Sequence, residues 1–359
     1  MKPEDYITRE EKYGAHNYHP LPVVLRRGEG VFVWDVEGKR YFDFLSGYSA
    51  LSQGHCHPKI VKALMEQAER LTLVSRAFHA DILGEYMEFT CKFFGYDKLL
   101  PMNTGAEAVE TALKLCRRWG YRRKGVAPER AKIVVCSENF HGRTITIISM
   151  STDPSSYADF GPYTPGFIKI PYNNVDALAE ALKDPDAVGF LVEPIQGEAG
   201  VVVPDDGYLR ACYDLCHQKN VLFIADEIQT GIGRTGKLLA CDYEGIRPDI
   251  LILGKALSGG VSPVSAVLAD DEIMLTIAPG EHGSTYGGNP LAAKVAIAAL
   301  EVVRDEHLSE NAFKMGELFR GEMERINNPM IKKVRGKGLL NAVVTEPKDG
   351  KTAWDICLA

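Results

Sequence analysis

The amino-acid sequence predicts an α/β fold built on a mostly parallel sheet. Three observations carry this: four short apolar runs rich in β-branched residues, helix-sized amphipathic intervals between them, and a chain of 359 residues, long enough to bury several such layers. The runs are 132–137 (KIVVCS), 188–193 (VGFLVE), 221–226 (VLFIAD) and 250–253 (ILIL). None alternates with polar residues, which is the pattern of strands covered on both faces. Ala108, Thr111, Ala112, Leu115 and Trp119 fall on one helical face, and 206–219 separates two of the runs by the length of a helix. Repeated strand, helix and strand imply a parallel sheet with right-handed crossovers.

The flanks read differently. Residues 30–35 and 39–44 flank Glu37-Gly38 as a β-hairpin, a separate small layer. After Pro290, 291–303 and 309–324 read as helices and 334–344 as a turn and a strand.

Composition excludes several classes. Hydrophobic residues make up 45% and charged residues 25%, the balance of an ordinary folded chain rather than a disordered one. Lys and Arg total 41 against 48 Asp and Glu, a net charge of −7, with no basic block to track phosphates, so nucleic acid is not expected as a partner. No apolar run is long enough to cross a bilayer, so no membrane is expected either. The start, Met1-Lys2-Pro3-Glu4-Asp5, has no leader pattern: the expectation is a cytoplasmic protein as written, or the mitochondrial matrix if a leader was removed. Eight cysteines are scattered without a C-x-x-C pair, which fits a reducing compartment. His55-Cys56-His57 lacks a second ligand pair at zinc-like spacing, so no metal is expected.

Residues 231–236 (GIGRTG) match G-x-G-x-x-G, and with Lys237 they match G-x-x-x-x-G-K. Neither match is in the right setting. Glu227 to Thr230 intervene after the strand, and Leu238 stands where a nucleotide loop needs Ser or Thr. These glycines are expected to form a surface turn. The acids at strand ends are more informative, because parallel α/β sheets take their ligands at the carboxyl ends of strands. Glu193 and Asp226 both stand there, where a cationic ligand or a helix cap would use them. Lys255 follows the 250–253 run and is flanked by small residues. A desolvated Lys is the type that forms Schiff bases, and a nearby Asp is what a protonated pyridine nitrogen requires. Residues 103–108 (NTGAEA) form a small-residue turn feeding a helix start, suited to an anion, and 283–290 (GSTYGGNP) is a second such loop. Together the set would satisfy a phosphorylated pyridine aldehyde.

With these residues in place, the chain resembles the class III pyridoxal-phosphate aminotransferases of the aspartate-aminotransferase fold (fold type I), the subgroup that transfers ω-amino groups. GHCHP (54–58), NTGAEA (103–108), EPIQGE (193–198), ADEIQTG (225–231), GKAL (254–257) and GSTYGGNP (283–290) run in that family's order and span nearly the whole chain. YGAHNYHP (13–20), SGYSA (46–50) and NFHGRT (139–144) look like the ornithine aminotransferases, with acetylornithine and 4-aminobutyrate aminotransferases the nearest alternatives.

The resemblance implies a large cofactor-binding domain over 54–288 and a small α+β domain built from both termini, 1–53 and 289–359. It implies pyridoxal 5′-phosphate as cofactor, with Lys255 carrying it and then moving the proton, and Asp226 on the ring nitrogen. Phe140 would stack on the ring, Gln229 would bond near the phenolic oxygen, and Gly105 and Ala106 would give backbone amides to the phosphate. Ser284 and Thr285 would reach the phosphate of a neighbouring copy, making a homodimer with shared sites. Tyr18 and Arg143 would take the α-carboxylate of ornithine and Tyr48 would lie near its α-amino group. Glu198 would be a switch, pairing with a C-terminal arginine that is released to bind 2-oxoglutarate. The expected products are glutamate semialdehyde, which cyclises to pyrroline-5-carboxylate, and glutamate. In this sequence Lys332, Lys333, Arg335 and Lys337 do not match that arginine, whose place would fall after Ala359. A shortened chain with an unpaired Glu198 is therefore expected, and two further readings stay open: a non-catalytic protein keeping the fold, and, on the 231–236 loop alone, a nicotinamide dehydrogenase.

Overall fold

The computed structural model describes residues 1–358, arranged around three sheets. The N-terminal sheet is an antiparallel meander of β1 (Leu25–Glu29), β2 (Phe32–Asp35) and β3 (Arg40–Phe42). The central sheet has seven strands: β4 (Lys98–Met102), β5 (Lys132–Cys136), β6 (Phe167–Ile170), β7 (Ala187–Val192), β8 (Leu222–Asp226), β9 (Ile250–Leu253) and β10 (Ser265–Ala269). Their spatial order is β4-β10-β9-β8-β7-β5-β6. The third sheet is a hairpin of β11 (Ile331–Lys337) and β12 (Leu340–Thr345). The stretch 334–344 is thus two paired strands around Gly338, where the sequence suggested a turn and one strand.

The four apolar runs are β5, β7, β8 and β9, all mutually parallel. Only β10 runs against its neighbours, β9 and β4. Alternation along these strands serves two cores. Ile133 and Val135 of β5 and Ile224 of β8 face the Gly105–Trp119 helix. Val134, Phe190 and Phe223 face the opposite way, against the Tyr208–Gln218 helix. Each such side chain, sealed from water, contributes about 1.5–3 kcal/mol.

This alternation decides what the strand-end acids do. Asp226 continues the parity of Ile224 and emerges on the face of the Gly105–Trp119 helix. Glu227 takes the other parity and is fully buried, accepting the backbone N–H groups of Ala240 (3.0 Å) and Cys241 (2.8 Å). Adjacent acids therefore split into one facing the site and one holding the 240–244 turn.

The 231–236 loop is buried, not a surface turn. It lies under the Leu308–Arg325 helix and the β11–β12 hairpin, and a Cβ on Gly236 would sit 3.0 Å from Phe313. The glycines permit close backbone approach rather than a ligand cradle. The His55-Cys56-His57 triplet is also dispersed: His55 bonds Asp43 at 2.7 Å and His57 bonds Glu306 at 3.3 Å.

Candidate active site

The carboxyl ends of β5, β7, β8 and β9 and the start of the Gly105–Trp119 helix converge on one cavity of about 150 Å³. Its walls include Gly105, Ala106, Phe140, His141, Asp226, Gln229 and Lys255, together with Glu193, Ile195 and Ile228. Because each polar group leaves the end of a rigid strand or helix, its position is fixed by the sheet.

At the helix start, Thr104 caps the N–H of Glu107 (3.3 Å), and the Glu107 carboxylate accepts the N–H groups of Asn103 (2.9 Å) and Thr104 (3.0 Å). The next two amides, Gly105 and Ala106, have no such cap among the described residues and open on the cavity. They combine with the helix dipole as an anion receptor. Opposite them the chain turns at Gly142 (φ +131°), where a Cβ would press within 3.1 Å of Ala106.

Asp226 holds two donors: the Ile228 N–H on Oδ1 (3.1 Å) and His141 Nδ1 on Oδ2 (2.6 Å). Burial works against a charged His141 ring, but the Asp226 hydrogen bond and charge, with Glu193 behind them, outweigh it and hold the ring above its ordinary pKa. Its Nε2 is buried without a partner. Burial also holds the Lys255 amine below its ordinary value, against the pull of Asp226, Glu198 and Glu193. Lys255 itself adopts φ +41°, a strained conformation for a non-glycine residue.

Glu193 accepts the Phe140 N–H at 2.9 Å, and burial pushes its carboxyl up to about 7. An unfolded Glu ionises near 4.5, so the folded state keeps its proton longer and stability falls as pH rises from 4.5 through 7. The gap is worth about 3 kcal/mol, at 1.36 kcal/mol per pH unit. In the cofactor-free protein, Glu193→Gln is expected to keep the Phe140 hydrogen bond and remove most of that slope. Urea unfolding at pH 5 and pH 8 reads it directly: the variant should gain on the wild type only at the higher pH.

The other residues singled out in the sequence are not part of the cavity wall. Arg143 places its guanidinium over the Phe140 ring, 5.6 Å from the centroid. Glu198 is not left bare: it accepts a hydrogen bond from Gln229 Nε2 at 3.3 Å. Tyr48, half-exposed, belongs to a short turn (Ser46–Ser49) packed on the Lys255–Ser258 turn. Tyr18 is 77% exposed and lies outside the cavity wall. Ser284 accepts from Asn103 Nδ2 (2.9 Å), and Thr285 is exposed. Reading the sequence gave no role to His141, Ile195 or Ile228. A signal was present for His141, which sits between Phe140 and Arg143 in one quoted motif.

The family model for class-III aminotransferases matches residues 13–359. The chain is a class-III aminotransferase. Among its relatives, the mitochondrial ornithine aminotransferase of Drosophila ananassae is 64% identical over 99% of this chain and 82% of that protein. The crystal structure of the ornithine aminotransferase from Toxoplasma gondii ME49 superposes with a TM-score of 0.95 at 52% identity, covering 96% of this chain and 83% of that one. An acetylornithine aminotransferase structure from Elizabethkingia anophelis gives a TM-score of 0.92 at 62% identity, covering 100% and 89%.

Like other class-III aminotransferases, this enzyme depends on pyridoxal 5′-phosphate, and the residues present fit that group. Open amides at a helix start suit its phosphate, apolar walls from Phe140, Ile195 and Ile228 suit a flat ring, and the buried Asp226 carboxylate and the partly desolvated Lys255 amine stand at the cavity.

Proposed function

We propose that this aminotransferase moves the δ-amino group of ornithine to 2-oxoglutarate, giving glutamate semialdehyde, which closes to pyrroline-5-carboxylate, and glutamate. The observation that carries this reading is the Arg143 guanidinium over the ring of Phe140, itself a wall of the cavity: a forked group suited to an amino-acid carboxylate next to the ring-stacking position. The names of the Drosophila and Toxoplasma relatives support it.

Lys255 would hold the cofactor and, released by the incoming amine, carry the proton on Nζ; its burial favours the neutral amine this requires. Asp226, oriented by the Ile228 N–H and by His141, would face the ring nitrogen with its negative charge. Gly105 and Ala106 would bind the phosphate, Phe140 would stack, and Gln229 would bond near the phenolic oxygen. The chemistry pyridoxal phosphate supplies when bound is an electron sink for the carbon that carries the transferred amine. Arg143 with Tyr18 would take the carboxylate, and Tyr48 would meet the α-amino group. Glu198, here on Gln229, would be the switch that holds an arginine during the ornithine half-reaction and releases it to the 2-oxoglutarate carboxylate.

The active unit in this reading is a homodimer with Ser284 and Thr285 serving a neighbouring copy. Exposed Phe42, Phe44, Leu45 and Phe78 support it as apolar surface for a second copy to cover. Tyr18 would acquire its place at the site in the same assembly.

The Elizabethkingia structure favours a second reading, N-acetylornithine as amine donor. Competition between the two amines separates them. Ornithine is expected to have the higher kcat/KM by at least about tenfold, because a site that bonds a free α-amino group loses that bond to the acetylated one. A preference for N-acetylornithine reverses the assignment.

A further inference from the structure

The loop bearing Ser284 and Thr285 is fastened along one stripe of the Gly105–Trp119 helix. Thr111, Lys114 and Arg118 recur at helical spacing and all reach it. Arg118 Nε donates to the Thr276 carbonyl (3.2 Å) and its guanidinium pairs with Glu281. Thr111 Oγ1 and Lys114 Nζ each lie 2.9 Å from a different nitrogen of His282, two residues before Ser284.

The donors fix the ring's state. An ammonium only donates, so His282 Nδ1 accepts from Lys114 and the proton resides on Nε2. That Nε2–H donates to Thr111 Oγ1, whose own O–H donates to the Glu107 carbonyl (2.7 Å). The chain of bonds is complete only with neutral His282, the form that burial and the Lys114 charge both favour. It joins the loop to the helix whose first amides open on the cavity.

We propose that His282 is a positioning residue for the phosphate end of the cofactor site: it pegs the Ser284–Thr285 loop to the helix so that the two hydroxyls are presented to the neighbouring copy. This rests on the shared-site dimer proposed above. The peg acts through Ser284 and Thr285 and touches neither substrate nor cofactor.

The test uses mixed dimers in which one copy carries Lys255→Ala, so that only the other can fix cofactor covalently. After equilibration over a range of pyridoxal phosphate concentrations, borohydride reduction counts cofactor attached to the intact Lys255 and gives its affinity. His282→Leu on the Lys255→Ala copy is expected to weaken that affinity about tenfold, the equivalent of one or two lost hydrogen bonds. The same substitution on the intact copy should leave it unchanged. His282→Gln, which can both accept and donate, should restore most of the loss. A loss that follows the intact copy, or equal losses in both arrangements, overturns the proposal. Ser284→Ala with Thr285→Ala on the Lys255→Ala copy is the control. If that pair has no effect in trans, the shared-site reading itself fails; if it has an effect and His282→Leu has none, only the peg fails.

Discussion

Replacing Lys255 by alanine is expected to lower turnover by at least about a thousandfold, in a protein that still folds and still binds pyridoxal phosphate. The size follows from the proposed mechanism, in which the substitution removes both the covalent attachment and the proton carrier; general acid–base catalysis alone contributes about 10²–10⁴. The fold should survive because nothing structural depends on the amine: it is desolvated at a strand end, where burial favours its neutral form. The backbone adds a sharper expectation. Lys255 sits at φ +41°, where a Cβ costs about 1–2 kcal/mol and glycine pays no such penalty. After allowing for glycine's freedom in the unfolded chain, Lys255→Gly should be more stable than Lys255→Ala by up to about 1 kcal/mol. Turnover assays and thermal unfolding of the two variants check both parts. Near-normal turnover in either would remove Lys255 from the mechanism, and a less stable glycine variant would show that the strain is not there.

Asp226→Asn should also cost about a thousandfold in kcat while preserving shape. The amide retains an oxygen for the Ile228 N–H, yet it lacks the carboxylate charge that would face the ring nitrogen in the proposed mechanism. Losing one partner of a buried charge pair costs about 3–5 kcal/mol, which corresponds to that range of rate. His141 should respond as well. Its raised pKa depends on the hydrogen bond and charge of Asp226, so in the variant burial wins and that pKa should fall. Steady-state kinetics together with NMR titration of His141 test the two consequences. A variant with wild-type kcat would contradict the role, and a His141 whose pKa does not fall would place its support elsewhere.

Much of this was legible in the sequence, for physical reasons that particular residues illustrate. The run 250–253 predicts its strand residue for residue, because four consecutive apolar side chains are tolerated only where both faces are covered. Lys255 and Asp226 stood out because charged groups at the ends of buried strands need a reason to be there. Strands β4 and β10 were not read. Pro101 argues against a strand at 98–102, and Ser265–Ala269 is too small and mixed to signal one; their pairing with each other is decided by tertiary packing. The 231–236 loop was misplaced because glycine marks close approach as readily as it marks an exposed turn, and only the Leu308–Arg325 helix above it tells the two apart. His141 was missed for a related reason: its partner is 85 residues away, on a strand brought near by the sheet order.

Transfer of the δ-nitrogen is decided by running the competition between ornithine and N-acetylornithine with ornithine that carries ¹⁵N at its δ position. With 2-oxoglutarate present, the label should appear in glutamate, and the remaining carbon skeleton should be trapped as pyrroline-5-carboxylate while N-acetylornithine is largely spared. Label left in the ornithine-derived product, or preferential consumption of N-acetylornithine, would contradict the account.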